Sequence, residues 1–390
     1  MLTHSPPLPL IIDYFDCDHD FTAEDKEGIL LSLQHRDRVR SIRFQMPPLS
    51  LQKLIMALDD EFPILACLVI EPSRQQKQHP TLVLPRTFQA PCLHHLALGC
   101  FAFPIGFPLL TTTVGLITLL LGDILPSAHF PNDLLQILPL MTHLEILMIS
   151  FYYPVPNRDV EQHQLRQPIM THVTLPNLHW FTFKGSSAYL EALLPFLTTP
   201  ALEKLEVWFF NQLTFSIPHL LRFIDTTENL RFNNAKLTFD RNGVSVSGYP
   251  SVLAKEHALF MKVGCRHLDW QVASAAQLLN ALRMVLSELN DLTLKYSRSS
   301  MSPEWNNEAD RSQWRELLRP FSKVDKLHVP DSLIGALSRF LQPEEGESPM
   351  DLLPGLKTLS YSGSGNTHNP FTAFIDSRLK AGHPVALVDF

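Results

Sequence analysis

The residues best suited to chemistry form an acidic run near the start of the chain. The ligand positions of a calcium-binding EF-hand loop are matched in turn by Asp16, Asp18, Asp20, Glu24 and Glu27. That loop also needs a glycine at its sharp turn, and Phe21 stands there instead. We therefore predict no calcium site, but a helix that begins after Thr22, whose hydroxyl can cap it, with acidic side chains near its positive end.

Other catalytic and ligand-binding motifs are incomplete in this sequence. Gly363 and Gly365 begin a dinucleotide-type glycine pattern, but His368 stands where its third glycine belongs. Cys92 and the pair His94–His95 offer metal ligands, although a structural zinc site needs four and no second cluster accompanies them. The motifs G-x-S-x-G, H-E-x-x-H and C-x-x-C do not occur. The sequence therefore predicts no catalytic residues, no metal and no cofactor.

The composition is that of a folded, apolar-rich protein without a basic surface. Of the 390 residues, 45% are hydrophobic and 18% are charged, and the formal net charge is -7. Binding to nucleic-acid phosphates requires a stripe of lysine and arginine, which this charge balance does not provide. We therefore predict no nucleic-acid partner.

The cysteines and the apolar stretches indicate a protein of a reducing compartment that does not enter a membrane. The five cysteines are scattered, unlike a disulfide framework, and the N-terminal residues lack the basic charges of a signal peptide. The most apolar window, 107–121, is shorter than the ~20 residues that a membrane helix needs. We therefore predict a cytoplasmic or nuclear protein that is not secreted. We interpret the window as a buried turn that leads into a strand at Val114–Leu119.

A phrase of apolar residues recurs along nearly the whole chain: apolar, two variable residues, apolar, one variable residue, apolar. Its clearest copies begin at Leu65, Leu93, Val114, Leu144, Leu178, Leu202, Cys265, Leu289, Val324 and Leu356. Weaker copies begin at Val39 and near Leu230, where the clearer strand is Ala235-x-Leu237-x-Phe239. Successive copies lie about 29 residues apart, at the long end of the range for leucine-rich repeats.

Segments with helical spacing of apolar residues lie between the copies. They are 49–58, 187–197, 216–224 (with Ser216 as N-cap and Pro218 in the first turn), 275–289, 310–321 and 331–341. Strands that alternate with helices predict a parallel sheet, and neither element can bury its apolar side within one repeat. The sequence thus predicts an α/β leucine-rich-repeat solenoid of about 11–12 irregular repeats, with a curved parallel sheet on the concave face and helices on the convex face. Residues 1–38 are expected to form an N-terminal cap or lead-in segment, and residues 39–390 the solenoid.

The strand positions between the apolar residues of the phrase are expected to point to the concave face. The candidates for partner binding there are Trp180, Lys184, Lys204, Glu206, Trp208, His267, Asp269, Asp291, Lys295 and His328. Mixed charges together with two tryptophans are typical of a protein-recognition surface. The alternative interpretation is that these residues are ordinary solvated strand positions.

Several longer strings carry a resemblance to a known family. They are PLPLIIDYFD (7–16), LPNLHWFTFKG (175–185), TPALEKLEVWFFNQLTFSIPHLLRFIDTTENLRF (199–232), GCRHLDWQV (264–272) and LPGLKTLSYSGSG (353–365). Together with the repeats, they resemble the F-box/leucine-rich-repeat proteins of mushroom-forming fungi. The resemblance implies a role as the substrate-binding part of a ubiquitin-ligase adaptor. Members of that family begin with an F-box that docks on the Skp1 adaptor of a cullin ligase. No such module stands in this sequence, so Skp1 and cullin are expected partners only if an F-box lies upstream.

These observations favour a non-enzymatic protein-recognition scaffold whose partner is a protein held on the concave face. One alternative is a hydrolase with a loop-borne nucleophile, which has thin support in the sequence. Another is a structural repeat protein that self-associates through the open ends of its solenoid.

Overall fold

The computed structural model divides into two compact units, unit 1 (Met1–Leu202) and unit 2 (Glu203–Phe390). Both units are α/β, with mostly parallel strands. The structure describes residues 8–15, 21–73, 81–101, 107–124, 131–152, 171–210, 216–251, 253–265, 268–286, 288–296, 311–343, 346–361 and 369–389.

Unit 1 alternates strands with helices and short turns. Its strands are β1 (Leu10–Phe15), β2 (Val39–Met46), β3 (Cys67–Pro72), β4 (His95–Gly99), β5 (Thr118–Ile124), β6 (Ile146–Phe151), β7 (Val173–Thr174), β8 (Trp180–Gly185) and β9 (Leu197–Thr198). Its helices are α1 (Ala23–Leu33), α2 (Pro48–Ile55), α3 (Pro108–Thr112), α4 (Pro131–Ile137) and α5 (Ser187–Leu193), with 3-10 turns at Leu138–Leu140 and Leu194–Phe196. Strands β1, β2, β3, β4, β5, β6 and β8 pair in parallel in that order, while β7 pairs with β9. Strand β1 lies in the expected N-terminal segment 1–38, and it pairs with β2, the first strand of the expected solenoid 39–390.

The repeated phrase places one fully buried side chain of each strand beside that of the next. Leu68 pairs with Leu96, Leu96 with Leu119, and Leu119 with Leu147. None of these side chains has solvent-exposed surface. Since strand side chains alternate between two faces, every second residue belongs to this core and the others face away from it. The parallel α/β arrangement expected from the phrase is therefore confirmed.

The expected register of one strand of unit 1 is wrong by two residues. Val114 was expected to begin a buried phrase, yet it is 58% exposed, and β5 begins only at Thr118. The buried residues are Leu116, Leu119 and Leu121, which repeat the phrase two positions later. Pairing with β4 fixes this register, since it places Leu119 beside Leu96 and Leu121 beside Leu98 in the core.

Unit 2 contains the remaining elements. Its strands are β10 (Lys204–Phe209), β11 (Asn234–Asp240), β12 (Gly243–Tyr249), β13 (Leu259–Gly264), β14 (Asp291–Tyr296), β15 (Lys326–Val329), β16 (Thr358–Tyr361) and β17 (Ala386–Asp389). Its helices are α6 (Pro218–Thr226), α7 (Leu268–Ala281), α8 (Arg283–Leu286), α9 (Arg311–Leu318), α10 (Asp331–Leu341) and α11 (Thr372–Lys380), with a 3-10 turn at Glu228–Leu230. The expected strand at 235–239 is confirmed as part of β11.

A three-strand excursion interrupts the parallel order of unit 2. The strands lie in the order β10, β13, β12, β11, β14, β15, β16 and β17, so the chain leaves β10, passes to β11 and returns through β12 to β13. Strand β12 is antiparallel to both β11 and β13, whereas the other pairs within unit 2 are parallel. The sequence did not predict this hairpin. It separates β10 from β11 by two strands.

The phrase at Cys265 was expected to be a strand, and this prediction is wrong. Helix α7 begins at Leu268, and the strand lies earlier, at β13. Val272 and Leu279 are fully buried and lie on one face of this helix. The short apolar phrase at Cys265 is compatible with the spacing of a strand and with that of a helix. Gln271 on helix α7 is fully buried. Its side-chain nitrogen donates hydrogen bonds to the carbonyl oxygens of Asp240 at 2.8 Å and Cys265 at 3.0 Å.

Helices α1, α2, α5, α6, α9 and α10 lie where helices were expected, with one wrong cap, while α3, α4 and α11 were not predicted. Thr22 caps α1 as predicted: its hydroxyl accepts a hydrogen bond from the Asp25 amide, and the Asp25 carboxylate accepts one from the Thr22 amide, each at 3.1 Å. Pro218 is the first residue of α6, but the residue before it, Ile217, occupies the cap position that Ser216 was expected to fill. Proline at the first helical position is favoured because its missing N–H has no partner there.

Gly243 is needed at the start of β12, and we expect Gly243→Ala to destabilise unit 2 by about 1–3 kcal/mol. A Cβ atom at this position would lie 2.1 Å from the carbonyl oxygen of Val263, which belongs to the paired strand β13. Urea denaturation measures the change. Gly335→Ala in helix α10 is the matched control, because its Cβ would meet no atom within 4 Å. It should stabilise the chain by roughly 0.5–1 kcal/mol. Equal effects of the two substitutions would contradict the argument.

Candidate functional site

The strand face of unit 2 that points away from the buried core carries a row of mostly polar side chains. In β10, Leu205 and Val207 are fully buried, while the residues that alternate with them, Lys204, Glu206 and Trp208, are partly exposed. We define the polar strand face as Lys204, Glu206, Trp208, Lys236, Thr238, Asp240, Phe260, Lys262, Asp291, Thr293, Lys295, Lys326, His328 and Ser360. Strand pairing places Glu206 beside Phe260, Lys236 beside Thr293, and His328 beside Ser360.

An aromatic and cationic group at one side of this face is the most exposed large apolar feature on it. We define the Trp208 cluster as Trp208, Phe260, His257 and Lys262. The rings of Trp208 and Phe260 lie 5.3 Å apart, and those of His257 and Phe260 lie 5.2 Å apart. The Lys262 ammonium lies 5.5 Å from the centre of the Trp208 ring and 2.7 Å from Asp240 Oδ2. Trp208 is nevertheless 37% exposed, so a braced indole is available for contact.

A charged group borders the Trp208 cluster and orients its histidine. Glu206 Oε1 lies 3.1 Å from His257 Nε2 and 3.2 Å from Lys204 Nζ. Burial raises the pKa of Glu206, but hydrogen bonds from His257 and Lys204, together with the electrostatic attraction of these two groups, outweigh it, so the pKa of Glu206 lies below its usual value. Glu206 therefore stays ionised and fixes His257 against Phe260.

Two lysines on β11 and β14 lie close enough to repel each other. Burial and then the nearby Lys295 ammonium lower the pKa of Lys236. Among the residues that the structure describes, neither Lys236 nor Lys295 takes part in an ion pair. Asp291 lies beside Lys236, but its Oδ2 atom is 3.4 Å from His328 Nε2.

Three adjacent strands bring a serine, a histidine and an aspartate together. His328 on β15 is hydrogen-bonded through Nδ1 to the Ser360 hydroxyl on β16, and its Nε2 lies 3.4 Å from Asp291 Oδ2 on β14. These residue types could in principle perform nucleophilic catalysis. However, Ser360 is only 3% exposed, so its hydroxyl has little room to approach a substrate carbonyl. The arrangement is better suited to tying the three strands together.

We accordingly expect Ser360 of the native chain not to react covalently with a fluorophosphonate probe. A buried serine hydroxyl cannot reach the phosphorus atom, even with a histidine beside it. Intact-protein mass spectrometry measures the adduct, with a serine protease as the positive control. An adduct that disappears in the Ser360→Ala variant would instead support the hydrolase hypothesis.

Only some of the binding residues predicted from the sequence lie together in the structure. Lys204, Glu206, Trp208, Asp291, Lys295 and His328 lie on the polar strand face, as expected. Trp180 and Lys184 lie on β8 of unit 1, where Lys184 Nζ is 3.6 Å from Asp123 Oδ1. Asp269 belongs to helix α7 rather than to a strand, which corrects the expectation, and His267 lies outside the described residues.

Several site residues escaped the sequence reasoning. Phe260 and Lys262 were missed because the strand was placed at Cys265, although the alternation in residues 257–263 could have revealed β13. Lys236 was missed because that copy of the phrase was weak. Ser360 was missed because only its neighbours in the phrase were assigned to the core.

Unit 1 carries a different surface on its corresponding strand face. Val69, Ala97, Leu120 and Met148 pair in one row across β3, β4, β5 and β6, on the side of each strand that faces away from the leucine core. All except Ala97 are partly exposed. They occupy the fifth position of the phrase, at which no binding residue was predicted in unit 1 before Trp180. The row adds apolar surface of the kind found in protein interfaces.

The described residues contain no group of three or more His, Cys, Asp or Glu side chains placed to hold a metal ion. In this part of the chain, the helices are all too short or too polar to cross a lipid bilayer. The acidic residues Asp16, Asp18 and Asp20 of the EF-hand-like run lie outside the described residues. No protein-family model matches the chain, and a search of curated proteins finds no significant match.

Proposed function

We propose that the chain is a non-enzymatic protein-recognition scaffold built of leucine-rich repeats, and that its partner packs against the Trp208 cluster. The observation that carries the proposal is the partly exposed Trp208 ring, which Phe260 and Lys262 hold in place. Rigid tryptophans of this kind dominate the binding energy of many protein interfaces, because they bury much apolar area at little entropic cost. The mixture of Lys, Glu and Asp around the ring resembles the polar rim of such an interface.

A variant comparison tests this proposal. The chain and its Trp208→Ala variant serve as baits in an extract of the organism that encodes them, and quantitative mass spectrometry compares the captured proteins. The matched control is Trp270→Ala, because Trp270 is 46% exposed but lies on helix α7. We expect a set of proteins that the chain and the control capture and that Trp208→Ala loses. Equal capture by both variants would refute the role of the polar strand face.

The resemblance to F-box/leucine-rich-repeat proteins extends the proposal to a ubiquitin ligase. In that interpretation the chain reads the substrate, and contact with Skp1 and a cullin depends on an F-box upstream of residue 1. A direct binding measurement with Skp1 tests this part. Binding is expected for a longer gene product that contains an F-box and not for residues 1–390 alone.

Self-association is the second candidate, and strand β1 favours it. Ile11 and Phe15 are largely exposed on this strand, which pairs only with β2 among the described strands of unit 1. An edge strand with exposed apolar residues can pair with a second copy of a chain. Light scattering over a range of concentrations distinguishes the two candidates, because a recognition scaffold of the proposed kind stays monomeric.

A further inference from the structure

A pocket of about 230 Å³ opens on unit 2 where strands β11, β12 and β14 lie side by side. It is lined by Asn234, Ala235, Lys236, Tyr249, Ser251, Ala254, Asp291 and Thr293. Most of these residues can donate a hydrogen bond through an amide, an ammonium or a hydroxyl group. The acid among them, Asp291, has its Oδ2 atom 3.4 Å from His328 Nε2, so part of its charge is directed toward the histidine.

The charge near this pocket favours an anion. Lys236 lines it, and Lys295 is close enough to lower the pKa of Lys236 by repulsion, after the larger effect of burial. Two like charges held together are relieved when an anion binds to them. The hydroxyl groups of Tyr249, Ser251 and Thr293 can complete the hydrogen bonding of such an anion.

We propose that this pocket binds the carboxylate side chain of an acidic, extended segment of a partner protein, whose apolar residue packs on the Trp208 cluster. The inference rests on the proposed recognition function and names the chemistry of the partner. Acidic residues of the segment bind at Lys236 and Lys295, and the apolar residue supplies contact area at the indole. Ser245 and Ser247 of β12 lie between these two places, since Ser245 pairs with Thr238 and Lys262, and Ser247 with Lys236 and Phe260.

The strand order fixes the spacing of the two anchors. Strands β13 and β12 separate β10, which carries Trp208, from β11, which carries Lys236. Lys236 is level with Glu206 through the paired residues Ser247 and Phe260, so it also lies two residues along the strands from Trp208. Three intervals of ~4.8 Å across the strands, combined with two residues along them, place the anchors about 16 Å apart. An extended chain advances about 3.3–3.6 Å per residue, so the carboxylate should follow or precede the apolar residue by about four to five positions.

Selection from a phage-displayed library of linear peptides on the immobilised full chain tests the inference. We expect the enriched peptides to share an aromatic or aliphatic residue and, about four to five positions away, Asp or Glu. A synthetic peptide of the commonest enriched sequence then serves as the probe in fluorescence polarisation. The double variant Lys236→Gln with Lys295→Gln should bind it about tenfold to a hundredfold more weakly, because charge-assisted hydrogen bonds are lost. Selection on Lys236→Glu with Lys295→Glu should enrich Lys and Arg at that position instead.

The control variant is Lys380→Gln, which removes an exposed lysine from helix α11 of the same unit and should bind the probe unchanged. Enriched peptides without acidic residues that still require Trp208 would overturn the acidic segment and leave the recognition function standing. Peptides that bind Trp208→Ala as well as the wild-type chain would overturn both. The absence of any enrichment over the bare support would also overturn the acidic segment.

Discussion

Replacing Arg378 with alanine is expected to lower the free energy of unfolding of unit 2 by about 3–5 kcal/mol. Arg378 lies on helix α11 and is fully buried. Its guanidinium donates hydrogen bonds to the carbonyl oxygens of Pro349, Leu353 and Leu356, each at 3.2 Å, and to that of Pro354 at 3.3 Å. Each buried carbonyl left without a donor costs about 1–3 kcal/mol, so the losses are large even if some oxygens find water.

The backbone around Leu353 makes the loop more dependent on this arginine. Leu353 has a φ of 49°, in the left-handed region that costs a residue with a side chain roughly 1–2 kcal/mol. Its carbonyl is one of the acceptors of Arg378, so the guanidinium stabilises a conformation that the loop would otherwise leave. The loop leads directly into β16, which carries Ser360. We therefore expect the substitution also to destabilise strand β16, at the edge of the polar strand face.

Urea denaturation followed by circular dichroism measures the change, and limited proteolysis locates it. Arg319→Ala is the matched control, because Arg319 directly follows helix α9, is exposed and pairs with Glu316 at the surface. It should change the free energy of unfolding by less than about 1 kcal/mol. Arg378→Lys should fall between the two, since an ammonium has fewer donors than a guanidinium. An Arg378→Ala variant as stable as Arg319→Ala would show that the buried hydrogen bonds do not hold the loop.

Trp314→Ala is expected to lower the free energy of unfolding of unit 2 by about 3–5 kcal/mol. Trp314 on helix α9 is 1% exposed, and its ring lies 5.5 Å from that of Phe239 on β11 and 5.6 Å from that of Phe340 on helix α10. Its removal leaves a cavity between two helices and the strand that carries Lys236. Neighbouring side chains can fill such a space only in part.

The measurement is again urea denaturation, with hydrogen exchange of the β11 amides as a local readout. Trp270→Ala serves as the control, because it removes the same residue type from an exposed position and should change stability by less than about 0.5 kcal/mol. Trp314→Phe keeps part of the volume and should lose less than Trp314→Ala. Comparable losses for Trp314→Ala and Trp270→Ala would mean that the aromatic contacts contribute little.

The strands that follow the phrase closely were the predictable part of this protein. Leu68, Leu96 and Leu147 are buried where the phrase placed them, because period-two alternation leaves only one face for apolar side chains. The same alternation predicted that Lys204, Glu206 and Trp208 point away from that core. At Val114 and Cys265, by contrast, a local match to the phrase gave a wrong register and a wrong element. Three apolar residues are too few to distinguish a strand from the start of a helix.

The candidate site was only half predictable for a related reason. Trp208, Asp291 and His328 follow from strand patterns, but their neighbours depend on which strands pair. The excursion through β12 places Phe260 and Lys262 beside Trp208, although they lie about fifty residues further along the chain. Local periodicity in a sequence does not predict which strands pair when they lie far apart in the chain.

The sequence by itself determined that apolar side chains at period two, alternating with helices, must bury one face of mostly parallel strands and leave the other face polar. The tertiary structure alone decided the strand order in unit 2, the pairing that brings Ser360 to His328, and the burial of Arg378 beneath its loop. The first set follows from bonding geometry and hydrophobicity within one repeat. The second depends on contacts between residues far apart in the chain, whose free energies only exist once the packed structure has formed.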